Sequence, residues 1–201
     1  MNASEHNCCE SSFCDSDDAF MQAALDVAAE GGQLGEVPVG AVIVHQGTII
    51  AKGYNQPILS HDATAHAEIV AIRQACQYFN NYRLPADCQL FVTLEPCTMC
   101  LGAIIHARVS RLVFAATEPK AGMIVSQQDF SQVAFYNHFL KVEQGIMAEQ
   151  SRALLQDFFR HRREQKKTNA RAVKGKTITN QSLKTILQHQ NHSLKSKPFL
   201  K

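Results

Sequence analysis

No stretch of the chain approaches the run of about 18 apolar residues that a membrane-spanning helix needs. The first residues, MNASEHNCCESSFCDSDD, are acidic, with neither the basic start nor the apolar middle of a secretory leader, so no export signal is expected. Paired cysteines are missing too. The chain has seven, an odd number at uneven spacing, which excludes a disulfide framework. A reduced, cytoplasmic setting is expected instead, with cysteines serving as metal ligands, catalysts or core residues. There are no internal repeats.

What remains is an ordinary globular composition, 201 residues with 45% apolar and 19% charged side chains. That length suits one domain with a sizeable core, with or without tails. The net charge of +2 is a sum of two opposites. Residues 1–159 carry 8 basic and 17 acidic side chains, whereas residues 160–201 carry 12 basic and 1 acidic. An acidic body with a basic C-terminal segment suggests a polyanionic partner; a solvated tail is the plain alternative.

Three segments follow from the pattern: an acidic, disordered arm over 1–16, a domain over 17–167, and a basic polar extension over 168–201. Phe20, Ala24, Val27 and Ala28 have helical spacing, and Gly31-Gly32 is expected to stop that helix. Val39–His45 and Thr48–Gly53 flank Gln46-Gly47 and predict a β-hairpin. A loop over 55–64 and a helix over about His66–Tyr78 follow. Gln89–Leu94 reads as a buried strand, with a helix from Pro96 to about His106. Val109–Ala115 and Lys141–Gln144 read as two more strands, separated by an irregular stretch over 116–130. A last helix starts near Ala148, and Leu183, Ile186 and Leu187 form a weak helical patch in the extension. Alternating strands and helices with about five strands predict an α/β domain.

Two short motifs carry chemistry, His66-Ala67-Glu68 and Pro96-Cys97-Thr98-Met99-Cys100. A Cys-x-x-Cys pair opening a helix puts two sulfurs on one face of its first turn, where the helix dipole favours thiolates. His66 adds a third ligand of a kind that suits Zn²⁺. Three protein ligands leave a fourth position open, as in catalytic rather than structural zinc sites. Glu68 is then the acid–base group beside that open position. Both His66 and Glu68 reach the metal region only if His66 sits at or just before the helix cap, and Thr64 is the expected capping residue. A redox role is the alternative for the cysteine pair. Cys76 and Cys88 read as structural, and His6, Cys8, Cys9 and Cys14 as an adventitious cluster.

These motifs together resemble the bacterial tRNA-specific adenosine deaminases of the zinc-dependent cytidine/deoxycytidylate deaminase superfamily. The resemblance also rests on Glu36–Val42, Asn55, the run from His61 to Glu68, Asn81-Tyr82-Arg83, the run from Thr93 to Cys100, Gly102-Ala103 and Phe158-Phe159-Arg160. It spans roughly residues 17–167. It implies a three-layer α/β/α cytidine deaminase-like fold around a central mixed sheet of about five strands. It implies one Zn²⁺ per subunit on His66, Cys97 and Cys100, with Glu68 moving protons. It also implies hydrolytic deamination of the wobble adenosine of an arginine tRNA with anticodon ACG, giving inosine and ammonia. Asn55, Val37 and the Ala67 N–H are expected to meet the nucleoside, the last by facing a base edge. Phe158 or Phe159 is expected to stack a neighbouring base, the other lying in the core, and Arg160, Arg162, Arg163, Lys166 and Lys167 to contact phosphates. A homodimer in the cytoplasm, with the tRNA anticodon loop as partner and no membrane association, completes the expectation. A guanine deaminase and a non-catalytic zinc-stabilised RNA-binding module are the alternatives. Two departures stand out. Ala63 replaces a proline common in the family loop. Glu118 stands where the family has Asp, in a loop expected to touch the RNA.

Overall fold

A computed structural model of the chain describes residues 11–134 and 136–170, with side chains from Asp17 onward. The expected patch at Leu183–Leu187, together with His6, Cys8, Cys9 and the Cys14 side chain, lies outside the described residues. The chain divides into two units, 1–158 and 159–201.

The first unit is built on a five-stranded sheet of order β2-β1-β3-β4-β5. The strands are β1 (Gly40–His45), β2 (Thr48–Tyr54), β3 (Gln89–Leu94), β4 (Arg111–Ala116) and β5 (Lys141–Gln144). β1 runs antiparallel to both β2 and β3, while β3, β4 and β5 are mutually parallel, so the sheet is mixed. The hairpin turns at Gln46 and Gly47, whose φ values of 50° and 73° are those of a turn that matches strand twist.

Side-chain alternation along the strands makes three layers. Val42, Val44, Phe91, Val113 and Ala115 face one way and bury Met21 and Ala24 of α1 (Ser11–Gln33). Ala41, Ile43, Leu90, Val92, Leu112 and Phe114 face the other way, with α3 (Ala67–Tyr78) and α4 (Thr98–His106). This is period-two patterning in a sheet covered on both faces. Both helical layers approach closely because two strand residues lack a side chain. A Cβ on Gly40 would lie 2.1 Å from the Ala24 carbonyl oxygen of α1, and one on Gly53 2.4 Å from the Ala67 carbonyl oxygen of α3. Helical residues 148–158 close the unit, with the Ser151 hydroxyl donating to the Thr93 carbonyl at 2.5 Å.

Three local expectations are corrected. The first helix is already formed at Ser11, the first described residue, inside the stretch read as an arm, because extending a helix already anchored by Phe20 and Met21 avoids a second nucleation step. It also runs through Gly31-Gly32 to Gln33, and Gly31 packs where a Cβ would lie 2.9 Å from the Tyr54 ring. The loop after β2 contains a helical turn, α2 (Pro57–Ser60), with Pro at its start and the Glu36 carboxylate accepting the Leu59 N–H at 2.7 Å.

The outer strands are sealed along their free sides. On β2 the Lys52 N–H donates to the Gln74 side chain of α3 at 3.2 Å. β5 is only four residues long and carries Lys141 and Glu143, paired at 2.8 Å. In the second unit, residues 159–170 are helical and exposed, and the Thr168 hydroxyl donates to the Glu164 carbonyl at 3.1 Å.

Candidate metal centre and active site

The chemistry-bearing residues collect where β2, β3 and β4 end. Ligand sites in open α/β sheets lie at the carboxyl ends of parallel strands, and here β3 leads directly into Glu95-Pro96-Cys97. Cys97 is the N-cap of α4 and His66 the N-cap of α3, both in extended conformation with ψ values of 174° and 157°. Each side chain therefore projects ahead of its helix, and Cys100 follows in the first turn of α4.

His66 Nδ1 lies 3.8 Å from Cys97 Sγ and 3.5 Å from Cys100 Sγ. A tetrahedral zinc with bonds of ~2.3 Å to sulfur and ~2.0 Å to nitrogen spaces such ligands by about 3.5 Å. The donor set fits zinc in both chemistry and spacing. The positive ends of two helices converge on it and favour thiolates.

Without a cation the two thiols behave as a coupled pair. The hydrogen bond from Cys100, with a further one from His66, lowers Cys97 to about 4, although burial opposes the shift. Cys100 moves the other way, raised by that same hydrogen bond and by burial. The His66 imidazole is raised by its hydrogen bond to Cys97, against the effect of burial. A divalent cation would take the place of the shared proton and let both sulfurs ionise.

Glu68 lies in the first turn of α3 and is buried, 4% exposed. Burial raises its carboxyl above the ordinary carboxylate range, and the group interacts with the Cys100 thiol. A carboxyl of this kind can both take and return a proton.

The remaining expected residues separate into two groups. The Asn55 Oδ1 accepts the Ala67 N–H at 2.9 Å, so the amide expected to face a base edge is instead held by Asn55. That bond satisfies the first amide of α3, the task assigned to Thr64. Thr64 is held elsewhere: its N–H and hydroxyl both donate to Asp62 Oδ1, at 2.8 and 2.7 Å. Val37 is half-buried against the larger core. Phe158 ends the first unit, half-buried, whereas Arg160 and Arg162 are exposed in the second unit.

Two carboxylates of this region went unassigned in the sequence. Glu36 secures α2. Glu95, 3% exposed, accepts the N–H groups of Glu118, Ile124, Val125 and Ser126 and the Ser126 hydroxyl. Burial opposes its ionisation, but these hydrogen bonds outweigh burial and hold the carboxyl at about 2. The available signal was a carboxylate between Leu94 and Pro96, at the end of a strand too apolar to be exposed.

One other group of metal-ligating side chains exists among the described residues, His45, Asp87 and Cys88. It is a poorer match: His45 pairs with Asp87 at 3.0 Å, and burial pushes the Cys88 thiol up to about 11.

Residues 14–116 match the family model for the cytidine and deoxycytidylate deaminase zinc-binding region. The chain is 46% identical over 159 residues to the tRNA-specific adenosine deaminase of Haemophilus influenzae, covering 79% of this chain and 91% of that one. A solved structure from a study of A-to-I editing by tRNA:A34 deaminases at the wobble position superposes with a TM-score of 0.66 at 42% identity, covering 68% of this chain and 99% of the other. A guanine deaminase from Nitrosomonas europaea shares the fold, with a TM-score of 0.59 at 23% identity over 79% of this chain and 97% of its own. Among the described residues, no helix is long and apolar enough to cross a membrane.

Proposed function

The chain belongs to the zinc-binding cytidine and deoxycytidylate deaminase family, and from that premise we propose that it converts the wobble adenosine in a tRNA anticodon loop to inosine. The observation that carries this reading is the pairing of a three-ligand site with a buried carboxyl two residues after its histidine. The similarity to the Haemophilus influenzae enzyme, across 91% of its length, supports tRNA adenosine over a free base.

His66, Cys97 and Cys100 would hold one zinc per subunit, which supplies Lewis acidity that makes water a competent nucleophile at neutral pH. Glu68 takes a proton from the attacking water and delivers it to purine N1 as the oxygen adds to C6. The same carboxylate then takes the remaining proton from the added oxygen and passes it to N6, so that the C6–N6 bond breaks, ammonia leaves and the C6 carbonyl forms. The low dielectric around Glu68 strengthens these transfers. Asn55, whose Oδ1 accepts the Ala67 N–H, would donate from its NH₂ to a nucleoside acceptor. Val37 offers an apolar wall.

The adenine must be unstacked to reach this site, and an anticodon loop presents such bases at low cost. Phe158 would stack a neighbouring base, while Arg160 and Arg162, with Arg163, Lys166 and Lys167, would hold phosphates. The proposed substrate is an arginine tRNA with anticodon ACG, the proposed assembly a homodimer, and the proposed location the cytoplasm.

Incubation of the zinc-loaded protein with an ACG anticodon stem-loop, and separately with guanine, tests the assignment. Inosine from the stem-loop and no xanthine from guanine is the expected result. Xanthine formation, or intact adenosine in every stem-loop offered, would overturn it.

A further inference from the structure

Residues 117–140 join the parallel strands β4 and β5 without a crossover helix among the described residues. Long irregular connections in compact domains are uncommon and usually functional. Left alone, such a segment would sample many conformations. Here its first part is fastened to the strand end that leads to the metal ligands.

Glu95 provides the fastening. Its Oε1 accepts the N–H groups of Ile124, Val125 and Ser126 at 3.0, 2.7 and 3.0 Å. Its Oε2 accepts the Glu118 N–H at 3.0 Å and the Ser126 hydroxyl. One carboxylate thus gathers both ends of the 118–126 segment. The Met123 N–H adds a bond to the Pro96 carbonyl at 3.1 Å, one residue before Cys97. Gly122 completes the cradle, since a Cβ there would lie 2.3 Å from the Glu95 carboxyl group. The segment is left with an exposed tip, Pro119-Lys120-Ala121, and an exposed apolar side chain, Val125. A cation and an apolar contact beside the metal ligands suit a nucleotide flanking the reacting one.

We propose that Glu95 is a positioning residue: its carboxylate fixes the 118–126 segment as a rigid rim beside the metal site, where it receives the RNA. This inference rests on the tRNA reading above. Glu118 contributes to the shape of the rim, since its carboxylate accepts the Lys120 N–H at 3.0 Å.

Glu95→Gln isolates the effect. A carboxamide keeps one acceptor oxygen for the three amides on Oε1, but presents an NH₂ to the Glu118 N–H. The Glu118 end is then released while volume is conserved. Ser126→Ala removes a single bond and serves as the milder variant. The expected outcome for Glu95→Gln is unchanged zinc content, a KM for the anticodon stem-loop raised about tenfold, the worth of one charge-assisted hydrogen bond, and a smaller change in kcat. Trypsin should cut after Lys120 faster than in the wild type, followed by the mass of fragment 1–120. Ser126→Ala should move both readouts in the same direction by less. A fall in kcat with KM unchanged, or cleavage after Lys120 unaltered in both variants, would overturn the proposal. A wild type that deaminates no stem-loop would refute the RNA role, and the proteolysis would still decide the fastening itself.

Discussion

Replacing Arg111 by Met puts a charged cluster that joins several elements of the fold to the test. The guanidinium donates to Asp17 at 3.0 and 2.6 Å, to Glu143 at 3.0 and 2.6 Å, and to Gln89 at 2.7 Å. It thereby ties α1 to the starts of β3 and β4 and to β5. Methionine preserves most of the stem's packing, so the loss is that of the charge and its donors. The two carboxylates respond differently. The Glu143 side chain is 34% exposed and keeps Lys141, so it relaxes into water. That of Asp17 is 11% exposed and has no such replacement among the ion pairs of the described residues. Stranding one buried carboxylate sets the cost at about 3 kcal/mol, the lower end for breaking a buried pair. That is a large fraction of a typical domain's stability. Urea unfolding of the zinc-loaded protein measures it. Adding Asp17→Asn should recover about 2 kcal/mol, because the stranded charge is gone. Arg111 begins β4 and the metal ligands lie beyond its other end, ~17 Å away along a strand of this length. Zinc content and activity per folded molecule should therefore be unchanged. A loss below 1 kcal/mol, or strictly additive effects of the two substitutions, would refute this account.

Glu68→Gln should retain zinc and lose activity by ~10²-fold or more; near-normal turnover of the zinc-loaded variant would remove Glu68 from its role. Gly53→Ala should lower both thermal stability and zinc affinity, since the new Cβ meets the Ala67 carbonyl at 2.4 Å and displaces the turn that starts with His66. A chelator competition titration reads the second effect, and an unchanged affinity would contradict the coupling. The Arg111 hydrogen bonds lower the Glu143 carboxyl from 4.5 to about 2. Its stabilising contribution is then complete above pH 4.5 and is lost as pH falls towards 2, so replacing Glu143 by Gln should matter near neutrality and fade in acid. Urea midpoints at several pH values check this. Five phosphate contacts from the 160–167 segment would weaken stem-loop binding about a hundredfold between roughly 50 and 200 mM salt; binding indifferent to salt would exclude that segment as a clamp.

Continuous apolar runs bounded by turn residues were enough to read the central strands, because a sheet covered on both faces buries successive side chains alike. The Cys-x-x-Cys pair was legible because its spacing puts both sulfurs on one face of a first turn, and the His-x-Glu pair because a histidine at the cap projects ahead of the helix that carries Glu68. What escaped depends on pairings remote in sequence. Arg111 and Asp17 are 94 residues apart, and nothing local to either announces the other. The Glu95 fastening spans up to 31 residues and uses backbone donors, which no side-chain pattern encodes. Thr64 was a sound capping choice on propensity. Asp62 competed for it from two residues away, and Asn55 supplied the amide partner from across the loop.

The sealed edges of the sheet bear on how copies of this protein meet. Unsatisfied outer strands invite a neighbour's strand and lead to open-ended growth. On the β2 edge that invitation is withdrawn at Lys52 by a side chain of the covering helix, and on β5 by brevity and charge. Strand-to-strand addition at either edge would have to displace these contacts first, so the edges are guarded against open-ended growth.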